Sequence, residues 1–209
     1  MSASHMDNAI LKQSQIIFGG DSAGGHLSLS LLSHLHRPRP VEEDEKSAHL
    51  YPPIILESPV KGCFLVSPLT SLNLTTWSFM ERFSVDMLSK TIVGRYGEHF
   101  MHGSPWHREM LEGHGWGMAL NVPETWWEGL DVVDRVLVTA GWEEVFRDHV
   151  TQLANVLRRK TRVKQLESLM AMDEAHDAPL MSFLGKTKPL STSTDRVTGW
   201  VIRCFSKTD

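Results

Sequence analysis

Residues 16–25 read Ile16-Ile17-Phe18-Gly19-Gly20-Asp21-Ser22-Ala23-Gly24-Gly25. Ile16-Ile17-Phe18 is a short, β-branched apolar run of the kind that forms a buried strand. It ends in glycines, and a Leu-rich segment follows through Leu35, with Leu27, Leu29, Leu31, Leu32 and Leu35 interleaved with serines. That segment is apolar on most sides, which predicts a mostly buried helix. Between the two, Gly20-Asp21-Ser22-Ala23-Gly24 matches G-x-S-x-G, the pattern of a serine held on a sharp strand-to-helix turn. Such a turn strains the serine backbone, and neighbours without side chains let it close and let a substrate approach. The amides at the start of the helix then point at the serine, where they favour negative charge, and the Ala23 N–H is the natural oxyanion donor. The bare pattern arises by chance in roughly one chain of this length in fifteen. The strand before it and the helix after it make it informative.

Working outward, the helix stops at Arg37-Pro38-Arg39-Pro40, and the acidic stretch from Val41 to Ser47 reads as an exposed loop. Gly62-Cys63-Phe64-Leu65-Val66-Ser67 is a second buried strand, ended by Pro68. Between Thr70 and Thr125 the order of Gly, Pro, His and Trp is irregular, with one predicted helix near Val85 to Tyr96. Arg135 to Ala140 is a third strand, and a helix from about Arg147 to Lys160 follows, with Val150, Leu153, Val156 and Leu157 on one face. Lys164 to Met172 is a fourth strand and Arg196 to Phe205 a last helix. Strands alternating with helices predict an α/β fold, mainly a parallel sheet with helices on both faces.

The 209 residues carry a formal net charge of −4, are 41% hydrophobic and include two cysteines. A length of this order predicts a single domain, 1–209, with a sizeable core. Cys63 and Cys204 make neither a disulfide framework nor a four-ligand zinc site and fit a reducing, cytoplasmic setting. The slightly acidic balance argues against nucleic acid as the main partner. No apolar run approaches the roughly 18 to 20 residues that span a bilayer. The pair His34 and His36 lacks nearby ligands, so neither a metal nor a cofactor is expected. The partner that remains is a small molecule; the oligomeric state is not encoded in any pattern here.

Serine is a weak nucleophile that needs a base, and the base needs an orienting acid. On a strand-elbow-helix fold these partners follow the serine in the order acid, then histidine, on loops after later strands. His176, in Met172-Asp173-Glu174-Ala175-His176-Asp177, stands just after the fourth strand, where the base belongs. The loop after the third strand, Gly141-Trp142-Glu143-Glu144-Val145-Phe146-Arg147-Asp148, offers three carboxylates, Glu143, Glu144 and Asp148. Asp148 falls in the first helical turn, where a carboxylate is favoured by the dipole in any case. Asp21, beside the serine, reads as structural.

With these residues identified, the chain resembles the hormone-sensitive-lipase-like branch of the α/β-hydrolases, and most of all its fungal esterase-like members, often associated with secondary metabolism. Gly20-Asp21-Ser22-Ala23-Gly24-Gly25 is that branch's form of the elbow, and Phe64-Leu65-Val66-Ser67-Pro68 resembles its next strand and turn. The branch's acid motif usually reads Asp-Pro-Leu-Arg-Asp; Glu144-Val145-Phe146-Arg147-Asp148 fits that frame, which implies Glu144 as the acid. Glu174-Ala175-His176-Asp177 resembles the histidine loop. The resemblance implies a carboxylic-ester hydrolase acting on small esters or lactones through Ser22, His176 and Glu144, with a cap or pocket insertion around 70–125.

One departure is large. The branch carries a His-Gly-Gly-Gly motif several tens of residues before the elbow, whose amides complete the oxyanion hole. Only 21 residues precede Ser22 and none forms such a run. Gly113-His114-Gly115-Trp116-Gly117 follows the second strand and reads as a loop, not a substitute. The resemblance thus implies an N-terminally truncated fold, the C-terminal two-thirds or so. Loss of one oxyanion donor costs on the order of 10²–10³ in rate. The alternative expectation is therefore a degenerate hydrolase that acts as a binding or scaffold protein or is a partial gene product; acyl transfer by the same residues is a third. Of the tryptophans Trp77, Trp106, Trp116, Trp126, Trp127 and Trp142, all near or before the acid loop, Trp142 is the expected pocket residue, with core packing the common fate of the others.

Overall fold

A computed structural model describes residues 12–39, 54–82, 84–186 and 188–206, with the backbone alone at 105 and 106. Four strands, β1 (Ile17–Asp21), β2 (Gly62–Val66), β3 (Arg135–Gly141) and β4 (Gln165–Ala171), form one parallel sheet in the order β1-β2-β3-β4. The helices are α1 (Ala23–His36), α2 (Trp77–Glu81), α3 (Lys90–Met101), α4 (Pro105–Leu111), α5 (Arg147–Lys160), α6 (Ala178–Leu184) and α7 (Thr192–Phe205). β3 is buried from Val136 to Gly141, the continuous apolar run that a strand covered on both faces requires.

Side chains alternate between the two faces of the sheet. Cys63, Leu65, Val136, Val138 and Ala140 point to a large core shared with Leu29 and Leu32 of α1 and with Val150, Leu153 and Leu157 of α5. Phe64 and Leu137 point the other way, against Trp200 and Cys204 of α7. The expected parallel sheet with helices on both faces is thus present.

Local differences have local causes. β1 runs through both glycines to Asp21, three residues past Phe18 where the apolar run ends, because Gly19, Gly20 and Asp21 pair with Phe64, Leu65 and Val66. α1 is buried along one face, by Gly25, His26, Ser28, Leu29, Leu32 and Ser33, whereas Leu27 and Leu31 face outward. The helix expected at Val85 to Tyr96 spans Lys90–Met101 instead. Ser89 caps it by accepting the Ile92 N–H, and Asp86 holds the preceding turn by accepting the Leu88 N–H. α7 begins four residues before its expected start because Ser191 accepts the Thr194 N–H. The acidic stretch 41–47 lies outside the described residues. Among the described residues no helix is long and apolar enough to cross a membrane.

Candidate active site

In a parallel sheet the carboxyl ends of all strands open on one edge, where loops from distant parts of the chain meet. Ser22 follows β1, Ser67 follows β2, Glu144 follows β3 and His176 follows β4. Backbone bonds carry the register past the strand ends: Ser22 N–H to Val66 O (2.9 Å), Ser67 N–H to Thr139 O (2.8 Å) and Trp142 N–H to Ala171 O (2.8 Å). The loops therefore begin as hydrogen-bonded continuations of the sheet.

Ser22 takes φ 54° and ψ −112°, a strained conformation for a residue with a Cβ. The turn closes because Gly20 lets the backbone of Gly24 lie against it; an added methyl would overlap the Gly24 carbonyl. Gly141 has the same role between the acid and histidine loops, since a methyl there would overlap the Glu174 carbonyl. Ala23, first residue of α1, carries an amide for which the helix supplies no carbonyl, and it lines the cavity at Ser22.

Nε2 of His176 lies 2.9 Å from Ser22 Oγ. Its Nδ1 lies 3.5 Å from Oε2 of Glu144, with both side chains almost fully buried. The sequence thus left three carboxylates open and the fold brings one of them to His176. Glu143 instead pairs with Arg82 at 2.8 Å. Asp148 accepts the Ser78 N–H at 2.7 Å and meets Arg147 Nε at 3.0 Å.

Burial pushes the Glu144 carboxyl up from the ordinary range, opposed by His176 and by the Ser67 hydroxyl. Burial also works against the His176 imidazolium, but the facing Glu144 carboxyl outweighs it, so His176 titrates above its ordinary value. An acid–base pair of this kind can take a proton from Ser22 and hold it.

Three further residues join the site, none with a site role assigned from the sequence, where Asp21 reads as structural and Ser67 and Asp177 stand only inside longer motifs. Ser67 donates to Glu144 Oε2 at 2.6 Å. Asp177 places Oδ1 3.2 Å from His176 Nε2. Burial and the facing Asp177 carboxyl push Asp21 up to about 7. Trp142 does not line the cavity at Ser22: it is 37% exposed and lies beneath the Arg147 guanidinium, 4.7 Å from its ring centre. Trp116, Trp126 and Trp127 are core residues and Trp77 is exposed. The loop at Gly113 to Gly117 packs near the far end of α1, where Gly115 O accepts from Ser33 and the Trp116 indole donates to Arg37 O, so it is a full helix length from Ser22.

The cavity at Ser22 measures about 400 Å³. Its wall is apolar, built from Leu69, Leu88, Val93, Phe100 and Phe146, and α3 supplies one side. A second cavity, of about 510 Å³, has His176 in its wall with Met87, Met181 and Leu190.

Residues 2–179 match the profile of a protein family described as alpha/beta hydrolase fold, and the chain belongs to that family. Solved structures of similar fold include an esterase/lipase from an uncultured bacterium (17% identity, TM-score 0.64, covering 92% of this chain and 54% of that one). A fungal esterase from Rhizomucor miehei gives 17% identity and TM-score 0.65, covering 93% and 51%. Carboxyl esterase 2 from the mycorrhizal fungus Tuber melanosporum gives 18% and 0.63, covering 90% and 53%. No curated protein sequence matched the chain. The chain spans about half the length of these structures.

Proposed function

We propose that the chain is a serine hydrolase of carboxylic esters or lactones of small metabolites, working through Ser22, His176 and Glu144. The observation that carries this reading is the 2.9 Å approach of Ser22 Oγ to His176 Nε2, with Glu144 behind the ring and an apolar cavity in front of the serine. Ser22 Oγ attacks the ester carbonyl while His176 Nε2 takes its proton. The developing oxyanion meets the Ala23 N–H. Collapse of the intermediate breaks the C–O bond, and the proton on His176 passes to the departing alkoxide. Water then attacks the acyl-serine with His176 again as base, releasing the acid and restoring Ser22. Glu144 holds the ring in the tautomer with Nδ1–H and stabilises the imidazolium.

The cavity at Ser22 suits an uncharged acid portion. The alcohol portion leaves beside His176, which must protonate it, so the second cavity is its place in this reading. The purified chain should cleave p-nitrophenyl esters, and Ser22→Ala should lower kcat by about 10⁴-fold or more. Equal rates for the two proteins would sink the proposal.

A further inference from the structure

Asp86 comes from the 70–125 segment, far in sequence from both catalytic loops, and its carboxylate reaches both. Oδ2 accepts the Val145 N–H at 2.6 Å, one residue past Glu144. Oδ1 accepts the His176 N–H at 3.4 Å and the Leu88 N–H at 3.3 Å. Both target residues are buried: Val145 is 0% and His176 3% exposed. Their neighbours also interlock, with the Phe146 ring standing edge-on to the His176 imidazole at 5.1 Å. On either side of Asp86, Leu88 walls the cavity at Ser22 while Val85 and Met87 wall the second cavity.

We infer that Asp86 is a positioning residue: its carboxylate clamps the loop bearing Glu144 to the loop bearing His176. The segment that walls the substrate cavities thereby sets the alignment of the acid and the base. This rests on the hydrolase reading for its catalytic consequence but not for its structural one.

The geometry explains why a carboxylate is used. Backbone N–H groups from three separate places converge on Asp86, and an acceptor-only group satisfies all of them. An asparagine of the same size presents a donor to one side, so at least one of these contacts is lost. Asp86 lines neither cavity, and its effect runs through Val145 and His176. The charge adds a second effect. His176 is faced by Glu144 from the loop after β3, by Asp177 from its own loop, by Asp21 from the end of β1 and by Asp86 from the 70–125 segment. Glu144, Asp177 and Asp86 each favour the protonated ring, whereas Asp21 is itself held up to about 7, so removing the Asp86 charge moves the ring's titration to lower pH.

The test uses the full chain as wild type and Asp86→Asn, with two independent readouts. Amide hydrogen exchange at Val145 and His176 should accelerate in the variant while amides of β3 keep their protection. On p-nitrophenyl acetate, kcat should fall by about ten- to a hundredfold with KM changed far less, and the acid limb of kcat/KM should move to lower pH. If Asp86→Asn does not fold, Asp86→Glu keeps the charge but displaces the contacts: kcat should fall while the acid limb stays. Unchanged exchange at both amides, or a kcat equal to wild type, overturns the clamp. Should the wild type cleave no ester, the hydrolase reading fails alone, and the exchange of the two amides still decides the clamp.

Discussion

Ser67 Oγ donates a 2.6 Å hydrogen bond to Oε2 of Glu144, from a backbone held at φ 43° directly after β2. The same oxygen of Glu144 faces His176 Nδ1, while Oε1 has no hydrogen-bond partner among the described residues. A buried carboxylate with so few donors depends on each of them. Ser67→Ala should therefore destabilise the fold by about 1.5–3 kcal/mol, the range for a hydrogen bond to a charged group. It should also push Glu144 further up and lower kcat. Denaturant unfolding beside ester kinetics checks both; an unchanged midpoint and kcat would show that the contact is idle.

The second prediction concerns pH. In the proposed reaction His176 must be neutral to take the Ser22 proton, and the facing Glu144 raises its titration. Activity should thus fall as pH drops through a midpoint above about 6.5, the ordinary histidine value. Glu144→Gln removes the charge that does this, so the limb should move to lower pH while kcat falls by about 10²–10⁴-fold. A kcat/KM profile for both proteins decides it.

Asp21 links pH to stability. Its carboxyl is pushed up to about 7 in the folded chain, against an ordinary value near 3.8. A raised acid holds its proton more tightly when folded, so its contribution is fully present below the ordinary value. That contribution is lost as pH rises through about 7. Tm should decline between pH 4 and pH 7, and Asp21→Asn, which can still donate to Asp177, should flatten that decline. Parallel melting curves of identical slope would refute the linkage.

The cavity makes a prediction of its own. Ile92 on α3 lines it and is 41% exposed, so a larger side chain can be accommodated without unfolding the core. Ile92→Trp should reduce kcat/KM for longer acyl esters by about tenfold or more while sparing acetate. Equal loss across the series would place the acyl group elsewhere.

Much of this was written in local patterns. The apolar runs at Cys63 and Val136 report strands because burial on both faces demands continuous hydrophobicity, whereas the run at Ile17, expected to be buried, forms an edge strand that is only partly buried throughout. The elbow reports itself because only small neighbours fit the turn, as the crowding at Gly20 shows. Element starts were less legible: α3 and α7 begin where Ser89 and Ser191 find an N–H to accept, which depends on how the preceding loop runs.

The order of serine, acid and histidine along the chain follows from the sequence alone, because each loop must follow its own strand. Which carboxylate meets His176 does not. Glu143, Glu144 and Asp148 share one short loop, and the path of its backbone past β3 sends them in different directions, to Arg82, to His176 and to Ser78. The role of Asp86 and the partner of Ser67 are invisible in sequence for the same reason. Their roles arise from hydrogen bonds between segments remote along the chain, and such bonds exist only once the parallel sheet has brought the ends of its strands together.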